Sequence, residues 1–242
     1  MDEEWFRDWF DEDYAALYAH RDAAEAEAAV ATLLEAAPEL ASGPVLDLGC
    51  GSGRHLKALA RINPEVLGMD LSMALLELVD PALRSRLLRG DMRALPFRDA
   101  SLRGVCLWFT PFGYFGDDTN AALALDLGRV VRPGGLVLLD YLDADHVAAH
   151  LVPEDLVERN GLRVHSRRFL EGRRVVKRMR IEHSAGGPVR EVSESVRLYR
   201  PGELLALFDA GGFRLRRAFG DYAGHDHAPG SPRWIGLLER RT

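Results

Sequence analysis

Apolar positions near the start of the chain recur every three or four residues: Trp5, Phe6, Trp9, Phe10, Tyr14, Leu17 and Tyr18, followed by an alanine- and glutamate-rich stretch at 21–37. That period predicts helix over residues 1–37, interrupted by Pro38 and the Ala-Ser-Gly-Pro run at 41–44. The pattern then changes to short, nearly unbroken apolar runs at 44–48, 65–69, 86–90, 103–109 and 135–141, with helical periodicity between them at 53–61, 72–79 and 119–131. Alternation of this kind predicts a parallel sheet wrapped by helices, and the unbroken apolar runs fit strands covered on both faces. After about residue 160 the texture shifts again. Three partly alternating, arginine-rich stretches at 162–172, 173–184 and 188–200 read as strands in antiparallel hairpins. A helix at 201–210 opened by Pro201, then strand-like runs at 213–219 and 233–240, complete the chain.

Length is compatible with one α/β domain carrying additions, because 242 residues bury one substantial core. The expected division is a helical cap or lid at 1–40 and a main domain at 41–242, with the antiparallel insertion at about 162–200. A formal net charge of −6 disfavours general affinity for nucleic acid, which needs accumulated Lys and Arg. Eleven basic residues against four acids between 163 and 200 do make a local basic face, read first as a solvated outer surface. The two cysteines, Cys50 and Cys106, fit small buried thiols and a reducing compartment better than a disulfide. No apolar run reaches the roughly 18 residues of a membrane span, and the acidic start is unlike a signal peptide. A cytoplasmic monomer or homodimer is expected.

The candidate chemistry lies at the first strand-to-helix turn, Val45-Leu-Asp-Leu-Gly-Cys-Gly-Ser-Gly53. At such turns in open α/β sheets, ligands bind outside the carboxyl ends of the strands, where backbone must approach closely. A dinucleotide fingerprint would place its third glycine at position 54, which is Arg54, and no phosphate-cradling Gly-Lys-Ser/Thr follows. Acids stand at three successive strand ends. Asp47 can reach an ammonium group or a water, Asp70 both hydroxyls of a ribose, and Asp91 an exocyclic amine with Met92 against the base. Together they point to a nucleoside carrying an amino acid.

With Gly-Met-Asp70, Gly-Asp91-Met and Arg-Val-Val-Arg-Pro-Gly-Gly-Leu-Val-Leu-Leu-Asp140, these residues resemble the successive motifs of class I S-adenosylmethionine-dependent methyltransferases, over roughly residues 40–140. The resemblance implies a Rossmann-like, seven-stranded, mostly parallel sheet with helices on both faces, an N-terminal helical cap and a three-stranded antiparallel insertion. It implies S-adenosyl-L-methionine as cofactor, S-adenosyl-L-homocysteine as product, and a small-molecule methyl acceptor. It places Asp47, Gly49, Cys50, Gly51 and Gly53 at the methionine end, Asp70 at the ribose, Leu71 on the adenine face, and Asp91 and Met92 at the adenine edge. In similar enzymes an N-terminal helix folds over the donor, which brings in Tyr14, Tyr18 and Arg21. Trp108, Phe109 and Phe112 are expected beside the transferred methyl, as core and loop anchors or as an aromatic substrate wall. The following Thr110-Pro-Phe-Gly-Tyr114 departs from the Asn/Asp-Pro-Pro-aromatic motif typical of adenine and amide N-methyltransferases.

The donor is already an activated sulfonium, so a base is needed only if the acceptor arrives protonated. Candidates are Tyr14, His20, Tyr114, Tyr141, His146 and Asp221, and the sequence does not choose among them. Trp5, Phe6, Trp9 and Phe10 read as packing rather than as a substrate cage, and Cys50 as a small filler. His225 and His227 share a loop without a four-ligand set, so no metal site is expected. A nucleotide-dependent oxidoreductase, an RNA or protein methyltransferase, and a non-catalytic ligand-binding module are the competing readings.

Overall fold

The computed structural model describes residues 4–20 and 23–242. The N-terminal helical period is realised as three helices, α1 (Phe6–Trp9), α2 (Glu12–Leu17) and α3 (Ala23–Ala36). Asp11 supplies the break between the first two: its carboxylate accepts from the backbone N–H groups of Asp13 and Tyr14 and starts α2 afresh. The core then alternates β1 (Val45–Leu48), α4 (Arg54–Ala60), β2 (Val66–Asp70), α5 (Met73–Glu77), β3 (Leu87–Arg89), β4 (Leu102–Leu107), α6 (Asp117–Val130) and β5 (Val131–Leu142). It continues through α7 (Ala144–His150) into four strands, β6 (Glu154–Arg159), β7 (Leu162–Glu171), β8 (Arg174–His183) and β9 (Arg190–Arg197). Helix α8 (Pro201–Ala210), β10 (Phe213–Phe219) and β11 (Arg233–Arg240) close the chain.

The principal sheet has seven strands in the order β10-β11-β5-β4-β1-β2-β3. β1 to β5 run parallel, whereas β11 is antiparallel to β5 and β10 to β11. Strand residues of alternate parity are buried on opposite faces: Leu46, Val137 and Leu139 in one apolar layer, Val45, Leu136 and Leu138 in the other. Helix α3 packs on α4 in the second layer, so the cap segment expected at 1–40 divides in space. α1 and α2 cover the carboxyl rim of the parallel strands, and α3 is part of the sandwich.

The insertion differs from expectation in having four strands, not three, ordered β6-β7-β8-β9 and beginning at Glu154. β6 was hidden because its residues alternate between exposed and half-buried, with acids at 154, 155 and 158. Its signal was the turn that follows. Asn160 and Gly161 both take positive φ, at 48° and 78°, the pairing a two-residue hairpin requires. Two of the basic residues assigned to an outer face turn inward instead: Arg197 pairs with Asp117, and Arg174 donates to the carbonyls of Gly113, Tyr114 and Phe115.

Gly128, inside α6, faces the turn after α8, where an added Cβ would overlap the Gly211 carbonyl. Helix propensity alone favours alanine there by about 1 kcal/mol. The close approach reverses that sign. Gly128→Ala is expected to lower stability by ~2 kcal/mol or more in chemical denaturation.

Candidate active site

The site is built on the turn from β1 to α4. Gly49, Gly51 and Gly53 take φ of 75°, 53° and 79°, a left-handed conformation that side chains disfavour. The turn is tied to the end of β2: Gly49 and Cys50 N–H donate to the Met69 carbonyl at 2.8 and 3.1 Å, and Gly51 N–H donates to Asp70 Oδ2 at 2.8 Å. Space is restricted as well, since a Cβ on Gly49 would lie 3.1 Å from Pro111 Cβ and one on Gly53 2.9 Å from Val79 Cγ1.

Above this turn opens a cleft of about 590 Å³. Its floor is the carboxyl rim of β1, β2 and β4, and its roof is α1, α2 and the 109–115 loop. Gly49, Cys50, Gly51, Asp70, Leu71, Asp91, Met92, Trp108, Tyr14, Tyr18 and Tyr114 all line it. Asp47 and Gly53 stand behind the lining, Asp47 almost fully buried. Phe6 and Phe10 both pack and face the cleft, while Trp5 and Trp9 are buried packing residues. Arg21 lies outside the described residues.

Four proposed bases lie away from the cleft. His20 is on the surface against Arg159, and His146 stacks on His150 with Nδ1 3.1 Å from the Gly230 carbonyl. Tyr141 is buried and donates to the Arg197 carbonyl, and Asp221 binds His225. Each was proposed from its chemistry alone, which carries no information on which end of the sheet a loop reaches. Tyr14 and Tyr114 remain in the cleft.

Of the aromatic residues expected beside the transferred methyl, Trp108 and Phe109 line the cleft and Phe112 is buried in the core; sequence reading missed His55 and Pro111. His55 stacks on Trp108 with ring centroids 4.6 Å apart and planes 8° from parallel. Burial, with the nearby Arg54 charge, drives its imidazole down to about 3, so it is neutral at physiological pH. The available signal was its position two residues after the last glycine of the turn.

The acids differ in electrostatic state. Asp70 accepts from the N–H groups of Gly51 and Ser72, one on each carboxylate oxygen, and burial raises its pKa against those bonds. Asp91 is held low by Arg93, which reaches both of its oxygens, and Arg7 lies 3.6 Å away. Among the described residues Asp47 Oδ2 has no hydrogen-bond partner. Burial and the neighbouring Asp70 charge push Asp47 up to about 7.

A buried carboxylate with one oxygen unpartnered among the described residues, a turn of left-handed glycines and a carboxylate with spare lone pairs suit a ligand bearing an ammonium group and a diol. The chain matches the family model described as a methyltransferase domain over residues 45–135. It is 30% identical over 224 residues to a dTDP-3-amino-3,4,6-trideoxy-alpha-D-glucopyranose N,N-dimethyltransferase from Streptomyces venezuelae, spanning 87% of this chain and 91% of that protein. The chain belongs to the class I S-adenosylmethionine-dependent methyltransferases. Among solved structures, the methyltransferase is similar to the S-adenosylmethionine-bound amino pentose methyltransferase CalS10 of Micromonospora echinaspora, at 27% identity and a TM-score of 0.66, covering 95% of this chain and 97% of that one. A methyltransferase from Clostridium acetobutylicum shares the fold with a TM-score of 0.79 at 15% identity, over 94% and 96% of the two chains. The methyltransferase uses S-adenosylmethionine as its cofactor. Among its described residues no helix is long and apolar enough to cross a membrane, and no group of three or more His, Cys, Asp or Glu could hold a metal ion.

The raised carboxyl of Asp47 has a consequence for stability. Its folded value of about 7 lies above the unfolded value near 3.8, so the folded protein binds the extra proton between those limits. The contribution is present in acid and lost as pH rises through about 7. Asp47→Asn is therefore expected to become more stable relative to the parent, by at least ~1 kcal/mol, between acid and mildly alkaline pH in ligand-free denaturation curves. Parallel curves at all pH values would contradict that state of Asp47.

Proposed function

We propose that the methyltransferase, whose activity is transfer of a methyl group from S-adenosylmethionine to a small molecule, acts on the amine nitrogen of a nucleotide-linked amino sugar. The observation that carries this reading is the similarity to the Streptomyces venezuelae sugar N,N-dimethyltransferase, which extends over 87% of this chain and 91% of that protein. A match confined to the glycine turn and neighbouring strands would support only the donor.

The donor supplies an electrophilic methyl on a sulfonium whose departing thioether is neutral. The chain's own task is alignment and exclusion of water, which together lower the barrier by several kcal/mol in well-oriented systems. In this reading Asp47 holds the methionyl ammonium from behind the glycine turn, directly or through a water, and Gly49 and Gly51 admit the methionine end. Asp70 accepts from the ribose hydroxyls with the lone pairs left by Gly51 and Ser72. Leu71 would lie on the adenine face and Met92 at its edge. Asp91 reaches its exocyclic amine by sharing a carboxylate that Arg93 already holds ionised. An amine attacks only when neutral, and Tyr14 and Tyr114, which line the cleft, are the groups placed to take or orient its proton.

Incubation with S-adenosylmethionine and a dTDP-linked amino sugar should yield products heavier by one and then two methyl-for-hydrogen replacements in mass spectrometry. A dTDP sugar bearing hydroxyl in place of the amine should be unchanged; its methylation, with the amino sugar untouched, would overturn the nitrogen assignment. Asp70→Ala should weaken S-adenosylhomocysteine binding by at least ~1 kcal/mol, about fivefold, in calorimetric titration. Wild-type affinity in that variant would remove Asp70 from the donor site.

A further inference from the structure

Beyond the cleft wall, β4 ends in a strained turn. Phe109 and Thr110 follow one another with φ of 63° and 65°, a left-handed pair in which neither residue is glycine and one is β-branched. Such a pair persists only where the surroundings over-determine it. Here the surroundings are one buried acid and its partners. Asp140, on β5 and without solvent exposure, accepts from Phe109 N–H at 2.7 Å through Oδ2, and its backbone carbonyl accepts from Thr110 N–H at 3.0 Å. Arg233, on β11, pairs with Asp140 Oδ1 and donates to Thr110 Oγ1 at 2.8 Å. Tyr222, from the loop between β10 and β11, donates its hydroxyl to Asp140 Oδ2 at 2.6 Å. Three separate pieces of chain converge on two residues.

The held turn faces the donor side of the cleft. Phe109 and Pro111 line it, and Pro111 abuts Gly49 in the glycine turn. The Phe109 ring lies between two guanidiniums, 5.2 Å from Arg233 and 5.6 Å from Arg54. Arg54 opens α4, so the ring touches the glycine-turn side and the Asp140 side at once. A buried ion pair is poor support for stability by itself, because desolvation offsets the attraction between its charges. Its hydrogen bonds instead go to the two residues least able to hold their conformation unaided.

We propose that Asp140, with Arg233 and Tyr222, is a positioning unit that holds the 109–111 turn against the glycine turn and thereby shapes the methionine end of the donor site. The unit acts through Phe109 and Pro111 and touches no reacting atom. The inference rests on the donor reading of the cleft.

The test is calorimetric titration of S-adenosylhomocysteine into the full chain and its variants, well below each variant's unfolding temperature. Asp140→Asn should weaken binding about tenfold, and Tyr222→Phe, which keeps the ring and removes one hydrogen bond, about threefold or more. The decisive variant adds Thr110→Gly to Asp140→Asn. Glycine adopts the left-handed conformation without support, so the double variant should recover most of the lost affinity. Loss of a merely structural ion pair would not be rescued in this way. Folded Asp140→Asn and Tyr222→Phe with parental affinity, or a double variant no better than Asp140→Asn, would overturn the inference; should Asp140→Asn not fold, Tyr222→Phe with parental affinity overturns it alone. Failure of the parent chain itself to bind S-adenosylhomocysteine would instead overturn the donor reading.

Discussion

Close backbone approach at the first strand-to-helix turn is the constraint from which the rest of the site follows. Alternate left-handed glycines let the chain leave β1, rise over the end of β2 and enter α4 within a few residues. The hydrogen bonds that set this path come from β2: the Met69 carbonyl takes two N–H groups and the Asp70 carboxylate a third. Asp70 is thereby oriented by the same backbone that leaves room for the ligand. Asp47, two residues before the first glycine, is left buried beneath the turn with one oxygen that has no hydrogen-bond partner among the described residues. Burying a carboxylate is costly, more so beside the charge of Asp70, and the raised proton affinity of Asp47 is how the ligand-free protein answers that cost.

The additions to the sandwich complete the cleft by charge and aromatic contact. α1 and α2 are short and could not stand alone, since isolated helices need a dozen or more residues to persist. They are held by the antiparallel sheet and by the loop below. Arg190 on β9 reaches Asp11 and Asp13, and Trp9 donates to Glu194 at 2.6 Å. From the other side Arg93 binds Glu4, and Trp5 packs edge-on against Tyr114 at 4.9 Å. Tyr114 in turn sits on a loop whose carbonyls accept from Arg174 of β8. The insertion therefore supports the cleft both at its roof and at the 109–115 loop. Its four strands have no need of an unbroken apolar pattern, since one side of this sheet remains wet.

Much of the architecture was legible because it rests on periodicity. Parallel strands covered on both faces are apolar at most positions, so β1, β4 and β5 announce themselves as runs. The glycine turn and the acids at the ends of β2 and β3 follow from those strands by local spacing. The parts that were not legible have local patterns that point elsewhere. β6 carries acids at 154, 155 and 158 and resembles a loop, the single N-terminal helical period is cut by the Asp11 cap, and β4 ends two residues early because Phe109 turns left-handed. Arg174 and Arg197 look like surface charge in a basic stretch, yet Arg174 donates to the carbonyl of buried Ser195, and the Arg197 side chain is itself buried while it pairs with Asp117.

By itself, then, the sequence determined the layered α/β fold, the order of its strands along the chain, the glycine turn and the class of ligand it admits, all of which depend on residues near one another in the chain. Only tertiary structure decided which candidate bases reach the cleft, how Asp47 and Asp91 came to opposite proton affinities, and why Phe109 and Thr110 can hold a conformation their side chains resist. The physical reason is the same in each case. Desolvation, ion pairing and support of strained backbone act over a few ångströms of space between groups such as Asp140 and Arg233, which local pattern along the chain does not bring together.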